Sequence, residues 1–242
     1  MDGRTRDFVA SDKMHAPFGL VPAGARSSFG LRGSVLSRAL WVCVIATLAG
    51  WLTSRDAEAQ IVTYVWTGSA GNGLWTSGSN WNTSPTINAN ANLQFAGSLF
   101  TSATNTLSSG TARSITFNGL ASPFTLTGSS LTLAAAAGIT NNSTNVQTLS
   151  LAGIGLVQAS TQINATSGDL LINSPLTGSG GITVSGNGGA NRVTLTGSST
   201  YSGASTVQNG AVLQLQNSFA LGGTSSGVTV SSGGALELAN GI

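Results

Sequence analysis

The chain has 242 residues, enough for one or two ordinary domains, and its charge is distributed unevenly. Seven of its nine basic residues lie at or before Arg55. From Gln60 onward two basic and two acidic side chains give a net charge of zero: Arg113, Asp169, Arg192 and Glu237. No nucleic-acid partner is expected, because a face that neutralises phosphates needs several Lys or Arg together. The abundance of Val, Ile, Leu and Thr argues against disorder.

Residues 1–59 are predicted to be a signal peptide with a long n-region. The h-region is an apolar run at 39–49, which follows three Arg residues and precedes the small-residue site Ala57-Glu58-Ala59. The run is too short for a permanent membrane span, so the membrane is expected to matter only during export. Cleavage is expected between Ala59 and Gln60. The sequence leaves the start open between Met1 and Met14.

Residues 60–90 are predicted to be a Trp-rich N-terminal cap. Alternation over residues 61–66 predicts a strand, and the glycines of residues 68–73 predict a turn. The segment contains Trp66, Trp75 and Trp81. Bulky indoles can close the uncovered first coil of a solenoid, and they can also form a platform that stacks on sugar rings. Both interpretations are open at this point.

Residues 91–242 are predicted to be β-helix repeats. Gly, Ser and Asn separate short strand candidates, and no stretch has a helical period with a cap and a stop. Coils of about twenty residues predict about nine rungs and a rod about 40 Å long. The weaker pattern between Ala134 and Leu170 is open to a longer loop or irregular rungs. The candidate strands are residues 92–95, 114–117, 124–127, 130–133, 148–151, 169–172, 182–184, 192–196, 205–207, 212–215, 227–230 and 235–238.

The clearest repeat lies near the C-terminus. Residues 207–215 and 230–238 share one pattern, with Val207 and Val230 at its start, Gly210 and Gly233 in its turn, and a constant offset of 23 residues. A fixed offset in this range is typical of a stacked β-coil. The second copy ends four residues before the chain does. The repeat array is therefore expected to be incomplete at its C-terminus or to self-associate end to end.

Residues 180–215 resemble the autotransporter-associated β-strand repeat of bacterial passenger domains. The resemblance is carried by residues 180–184, 193–207 and 209–215, above all by Thr200-Tyr201-Ser202-Gly203. Val65-Trp66-Thr67-Gly68 is similar to the opening of many proteins with such repeats. The resemblance implies an all-β, right-handed parallel β-helix (solenoid). It also implies Sec-type export, followed by secretion or by display at the cell surface or outer membrane.

The inventory of reactive side chains predicts no enzyme. After Gln60 the chain has no Cys, His or Lys, so its serines lack an activating base. Asp169 and Glu237 lie 68 residues apart, about three rungs or roughly 14 Å, too far for a glycosidase pair. Residues 186–191 lack the Asp that a glycine-rich calcium repeat needs, and neither a metal nor another cofactor is expected.

A surface role is therefore predicted. The chain is expected to be an exported, structural or adhesive β-helical protein whose partners are surface or extracellular glycans or proteins. The alternative is a carbohydrate-binding surface module that uses Trp66, Trp75 and Trp81.

Overall fold

The computed structural model of the protein describes residues 60–242 except 187, 189, 190, 209, 224–226 and 240. The predicted signal peptide, including Ala59 at the cleavage site, lies outside the described residues. Within the described residues the helical element is a single 3-10 turn, Gly78–Asn80. The strands are β1 Val62–Trp66, β2 Ala91–Phe95, β3 Ser102–Asn105, β4 Gly110–Phe117, β5 Thr125–Gly128, β6 Leu131–Asn141, β7 Gln147–Leu151, β8 Ile154–Leu156, β9 Thr161–Ala165, β10 Leu170–Ile172, β11 Leu176–Gly178, β12 Ile182–Gly186, β13 Arg192–Leu195, β14 Ser205–Gln208, β15 Val212–Leu215, β16 Val228–Val230 and β17 Ala235–Leu238.

The strands form three faces of a coil, and the ladders between them are parallel. Face A stacks β1, β2, the second half of β4, the second half of β6, β9, β12, β14 and β16. Face B stacks β3, β5, β7, β10, β13, β15 and β17. Face C stacks the first halves of β4 and β6 with β8 and β11. This arrangement confirms the predicted all-β parallel β-helix.

The coil repeats every 21 to 24 residues, as the face A column Leu93, Ile115, Ile139, Ile163, Val184, Val207 and Val230 shows. These residues span six steps and β1 adds a seventh, so the coils are slightly longer than the expected twenty residues and fewer than the expected nine. The offset of 23 is confirmed as the register: Val207 pairs with Val230 and Leu213 with Leu236.

The interior is built from columns of apolar side chains. On face B, one column runs through Ala103, Leu126, Leu149, Ile172 and Leu195, all nearly inaccessible to solvent. Alternation in each strand points these side chains inward and their polar neighbours outward. Burying one Leu or Ile side chain contributes about 1.5–3 kcal/mol, so stacked coils stabilise one another although a single coil has little core.

The segment between Ala134 and Leu170 forms rungs of strands with one irregular corner, at residues 134–137, so of the two alternatives the structure shows irregular rungs and not a long loop. Its weak pattern comes from polar residues at inward positions. Gln147 is buried on face B, where its Oε1 accepts the Phe124 N–H at 2.8 Å. Asn141 is buried on face A and donates from Nδ2 to the Asn145 carbonyl at 2.9 Å. Buried amides of this kind satisfy backbone groups where the strands turn the corner.

The turn Tyr201-Ser202-Gly203 forms one corner of the coil. Tyr201 is buried, and its hydroxyl lies 2.6 Å from Ser205 Oγ. Burial raises the pKa of this phenol. At Gly203 a Cβ would lie 2.3 Å from the Gly180 carbonyl carbon, so only glycine fits there. The motif therefore marks a place where two coils approach backbone to backbone.

Candidate functional site on the outer faces

The three predicted glycan-stacking residues lie together in the interior of the first coil. Trp66, Trp75 and Trp81 are 1%, 0% and 3% exposed. The rings of Trp66 and Trp81 meet edge to face at 5.0 Å, and those of Trp75 and Trp81 do so at 5.9 Å. All three pack on Phe95 within 6 Å. No indole face is open to a sugar in this arrangement, so the geometry favours the cap over the platform.

The same segment covers the C-terminal part of the outer edge of β1. Trp81 forms an antiparallel bridge with Trp66, the Asn82 N–H donates to the Val65 carbonyl at 2.8 Å, and Asn82 Oδ1 accepts the Val65 N–H at 2.9 Å. Asn80 is buried, and its Nδ2 donates to the carbonyls of Asn72 and Leu74. The paired N–H and C=O groups at this end of β1 cannot accept another strand.

The described acidic residues lie on or beside face B, away from one another. Glu237 is on β17 and Asp169 directly precedes β10, and β13 and β15 lie between these strands. Asp169 Oδ1 accepts the backbone N–H of Arg192 at 2.8 Å. Arg192 donates to Glu237 from Nε at 2.9 Å and from Nη2 at 3.2 Å. Both carboxylates therefore have structural partners, and they do not face each other across a cleft.

The pair of Arg192 and Glu237 spans two rungs at the surface. The hydrogen bond from Arg192 lowers the pKa of the Glu237 carboxyl, and the same bond raises the pKa of Arg192. Gln214, on the strand between them, adds a donor to Glu237 Oε2 at 3.0 Å. A fork-to-carboxylate contact at an exposed site orients the side chains but adds little to stability.

The outer faces carry columns of neutral polar side chains. On face A the Gln208 Nε2 donates to Ser185 Oγ at 3.2 Å, and Ser185 donates in turn to Gln162 Oε1 at 3.4 Å. On face B the Thr196 hydroxyl donates to Asn173 Oδ1 at 2.7 Å, and Asn173 donates to Ser150 at 3.0 Å. Successive coils thus hold their outward side chains in register at a spacing of about 4.8 Å.

Comparison with protein-family models, curated proteins and solved structures finds no match for this chain. The resemblance of residues 180–215 to the autotransporter-associated repeat therefore remains a prediction. In the described part of the chain, no three His, Cys, Asp or Glu residues lie close enough together to hold a metal ion. The search of those residues for a long apolar helix that could cross a membrane also found none.

One residue of interest on the outer face escaped the sequence reasoning. Arg113 lines a polar groove on face A, although the sequence marked it only as one of four charges. Its position depends on a register irregularity between β4 and β6, at Ala112 and Ser114. No local sequence pattern around Arg113 predicts that irregularity.

Proposed function

We propose that this chain is a β-helical, passenger-type segment of an exported bacterial protein, secreted or displayed at the cell surface, with a structural and adhesive role and no catalytic activity. The observation that supports it best is the register of the outward polar columns over successive coils. A ligand that lies along the coil axis meets the same kind of group at every step, and many weak contacts in register add up to useful avidity.

Two observations support a role in binding rather than in catalysis. The described carboxylates are separated by two intervening strands, and each accepts a hydrogen bond from Arg192. The chain after Gln60 also contains no His or Lys that could activate a serine. The proposal therefore assigns the work of the protein to its surface.

Export is tested by the N-terminus of the mature protein and by its exposure on intact cells. An epitope inserted at Leu120, a 92% exposed turn residue, should be labelled on unpermeabilised cells or recovered from the medium. The recovered chain should begin at Gln60. Val44→Asp, which breaks the h-region, should abolish both results. Labelling that requires cell lysis would contradict the proposal.

The alternative, a carbohydrate module with a Trp platform, loses its main support because the three indoles are buried. It is tested by Trp75→Ala and Trp81→Ala. Loss of glycan binding with unchanged β circular dichroism would restore it, whereas loss of folding would assign the indoles to the cap.

End-to-end self-association also remains a proposal. Residues 80–82 occupy part of the edge of β1, so the proposed association uses β16 and β17 at the other end of the sheets. Sedimentation velocity over a wide range of protein concentration tests it, with Leu238→Ser as the variant expected to remain monomeric.

A further inference from the structure

A polar groove of about 280 Å³ lies on face A across β1, β2 and β4. Its polar lining comes from Thr63, Asn92, Gln94, Arg113, Ser114 and Thr116. The groove exists because the corner between face C and face A is shorter in β4 than in β6. One residue, Arg113, separates Ala112 from Ser114 in β4, whereas residues 134–137 form the corresponding corner of β6, and Ala137 contributes to the groove wall.

Arg113 has an unsatisfied charge. The other charged side chains of the described residues each have a partner: Arg192 pairs with Glu237, and the Asp169 carboxylate accepts the backbone N–H of Arg192. Within that same part of the chain the Arg113 guanidinium has neither an ion pair nor a hydrogen bond. The side chain is partly buried. A partly desolvated guanidinium with five free donors gains most from an anion that can accept two of them at once.

The neighbouring amides are held in place and still have free capacity. Asn92 Oδ1 accepts from the Ser114 hydroxyl at 2.9 Å, and its Nδ2 lies 3.4 Å from Thr63 Oγ1. Gln94 Nε2 donates to Asn118 Oδ1 at 2.6 Å. The side-chain amide oxygen of Gln94 therefore remains available as an acceptor, and the second side-chain N–H of Asn92 remains available as a donor. Hydroxyl groups, which both donate and accept, complement such a pair.

We propose that this groove binds a carboxylated sugar unit, a uronic acid within an acidic polysaccharide. The Arg113 guanidinium takes the carboxylate in a two-pronged contact, and Asn92 and Gln94 bond to ring hydroxyls. The volume lies just below the usual range for small-molecule sites, which fits one unit of a polymer that continues across the outer face. Nucleic acid is disfavoured, because one guanidinium cannot neutralise several phosphates.

This inference deepens the proposed function, since it names a ligand class for the adhesive surface. It rests on that function in one respect: the protein must be exported in order to meet an extracellular polysaccharide. Binding by the purified protein tests the groove, and labelling of intact cells tests export. Either result can fail without the other.

The test is calorimetric titration of the purified protein with trigalacturonate and with its methyl ester. The acid should bind, and the ester should bind about tenfold or more weakly, as expected for loss of a charge-assisted contact. Arg113→Gln should lower affinity for the acid by about ten- to a hundredfold. Arg113→Lys, which keeps the charge but not the fork, should have an intermediate affinity.

Arg192→Gln is the matched control, because it removes the same group from face B. It should leave the affinity unchanged, and circular dichroism should show the same fold in all variants. Three results would overturn the proposal: no binding of the acid, equal binding of acid and ester, or equal losses in the two glutamine variants. Tighter binding of a sulfated disaccharide would overturn the assignment to a carboxylate.

Discussion

The first and last coils both direct apolar side chains inward, yet only those of the first coil are covered. Trp66, in line with Phe95 on face A, is 1% exposed. Leu236 and Leu238 continue the face B columns of Leu213 and Leu215, but they are 37% and 64% exposed. The difference is the Trp-rich segment, which packs over the first coil. Burial in a solenoid is thus supplied by neighbouring coils or by a cap.

The largest expected effect concerns the cap. Trp75→Ala should lower the free energy of unfolding by about 3–5 kcal/mol, because it empties a fully buried site among Trp81 and Phe95. Leu238→Ala, at the exposed end of a column, should cost about 1 kcal/mol or less. Urea unfolding of both variants measures the contrast. Equal losses would mean that the two ends are equally covered.

The next effect concerns the close approach of coils at the motif turn. Gly203→Ala should cost about 1–3 kcal/mol, because its Cβ would lie 2.3 Å from the Gly180 carbonyl carbon. Gly227→Ala is the control: nothing lies within 4 Å of its Cβ, and the change should stay within about 0.5 kcal/mol. Thermal unfolding of the pair decides the matter. A tolerated Gly203→Ala would show that the coils are not in contact there.

A smaller effect is expected for the buried amide of face B. Gln147→Met keeps the size but removes the acceptor of the Phe124 N–H, and should cost about 1–3 kcal/mol. Gln162→Met, on the outer side of face A, should cost about 0.5 kcal/mol or less. Denaturant titration compares the two. If Gln147→Met were neutral or stabilising, the buried amide would not be needed for the rung.

The smallest effect is the pH dependence of the Arg192 and Glu237 contact. The folded pKa of Glu237 is lowered, so its contribution is present above the unfolded pKa and is lost as pH falls through the folded value. Melting temperatures from about pH 7 to about pH 3 should therefore fall slightly less in Glu237→Gln than in the parent. High salt should reduce the difference, since both side chains are exposed. A larger pH dependence in the variant would contradict the assignment.

The sequence predicted strands best where coils are similar to one another. The repeated pattern that begins at Val207 and Val230 predicts the register in which these residues pair. Strands β12 to β17 match the predicted strands within a few residues. It missed β8 and β11, because three-residue strands bounded by Gly or Pro have no detectable period. It also missed β3, whose one inward-facing apolar side chain is Ala103, and β9, where Thr161 is a polar residue at an inward position.

The candidate site was less predictable than the fold. An indole suits a buried cap and an exposed sugar platform equally well, so the Trp residues alone could not decide between the two. The groove at Arg113 forms because neighbouring coils differ in the length of one corner. That difference depends on how two coils stack, so it cannot be read from either segment alone. Patterns along the chain reveal which side chains alternate, but they do not reveal what neighbouring coils leave uncovered.

The central claim is that outward polar residues 23 positions apart are neighbours on one face. In a Cys43→Ser background, Thr206→Cys and Thr229→Cys place two thiols at paired positions of β14 and β16. Mild oxidation should close a disulfide between them, because paired Cα atoms lie within bridging distance. The pair Thr206→Cys and Thr148→Cys, on different faces, should stay reduced. If the thiols introduced at positions 206 and 229 stayed reduced, or if both pairs crosslinked equally, the result would contradict the stacked coil.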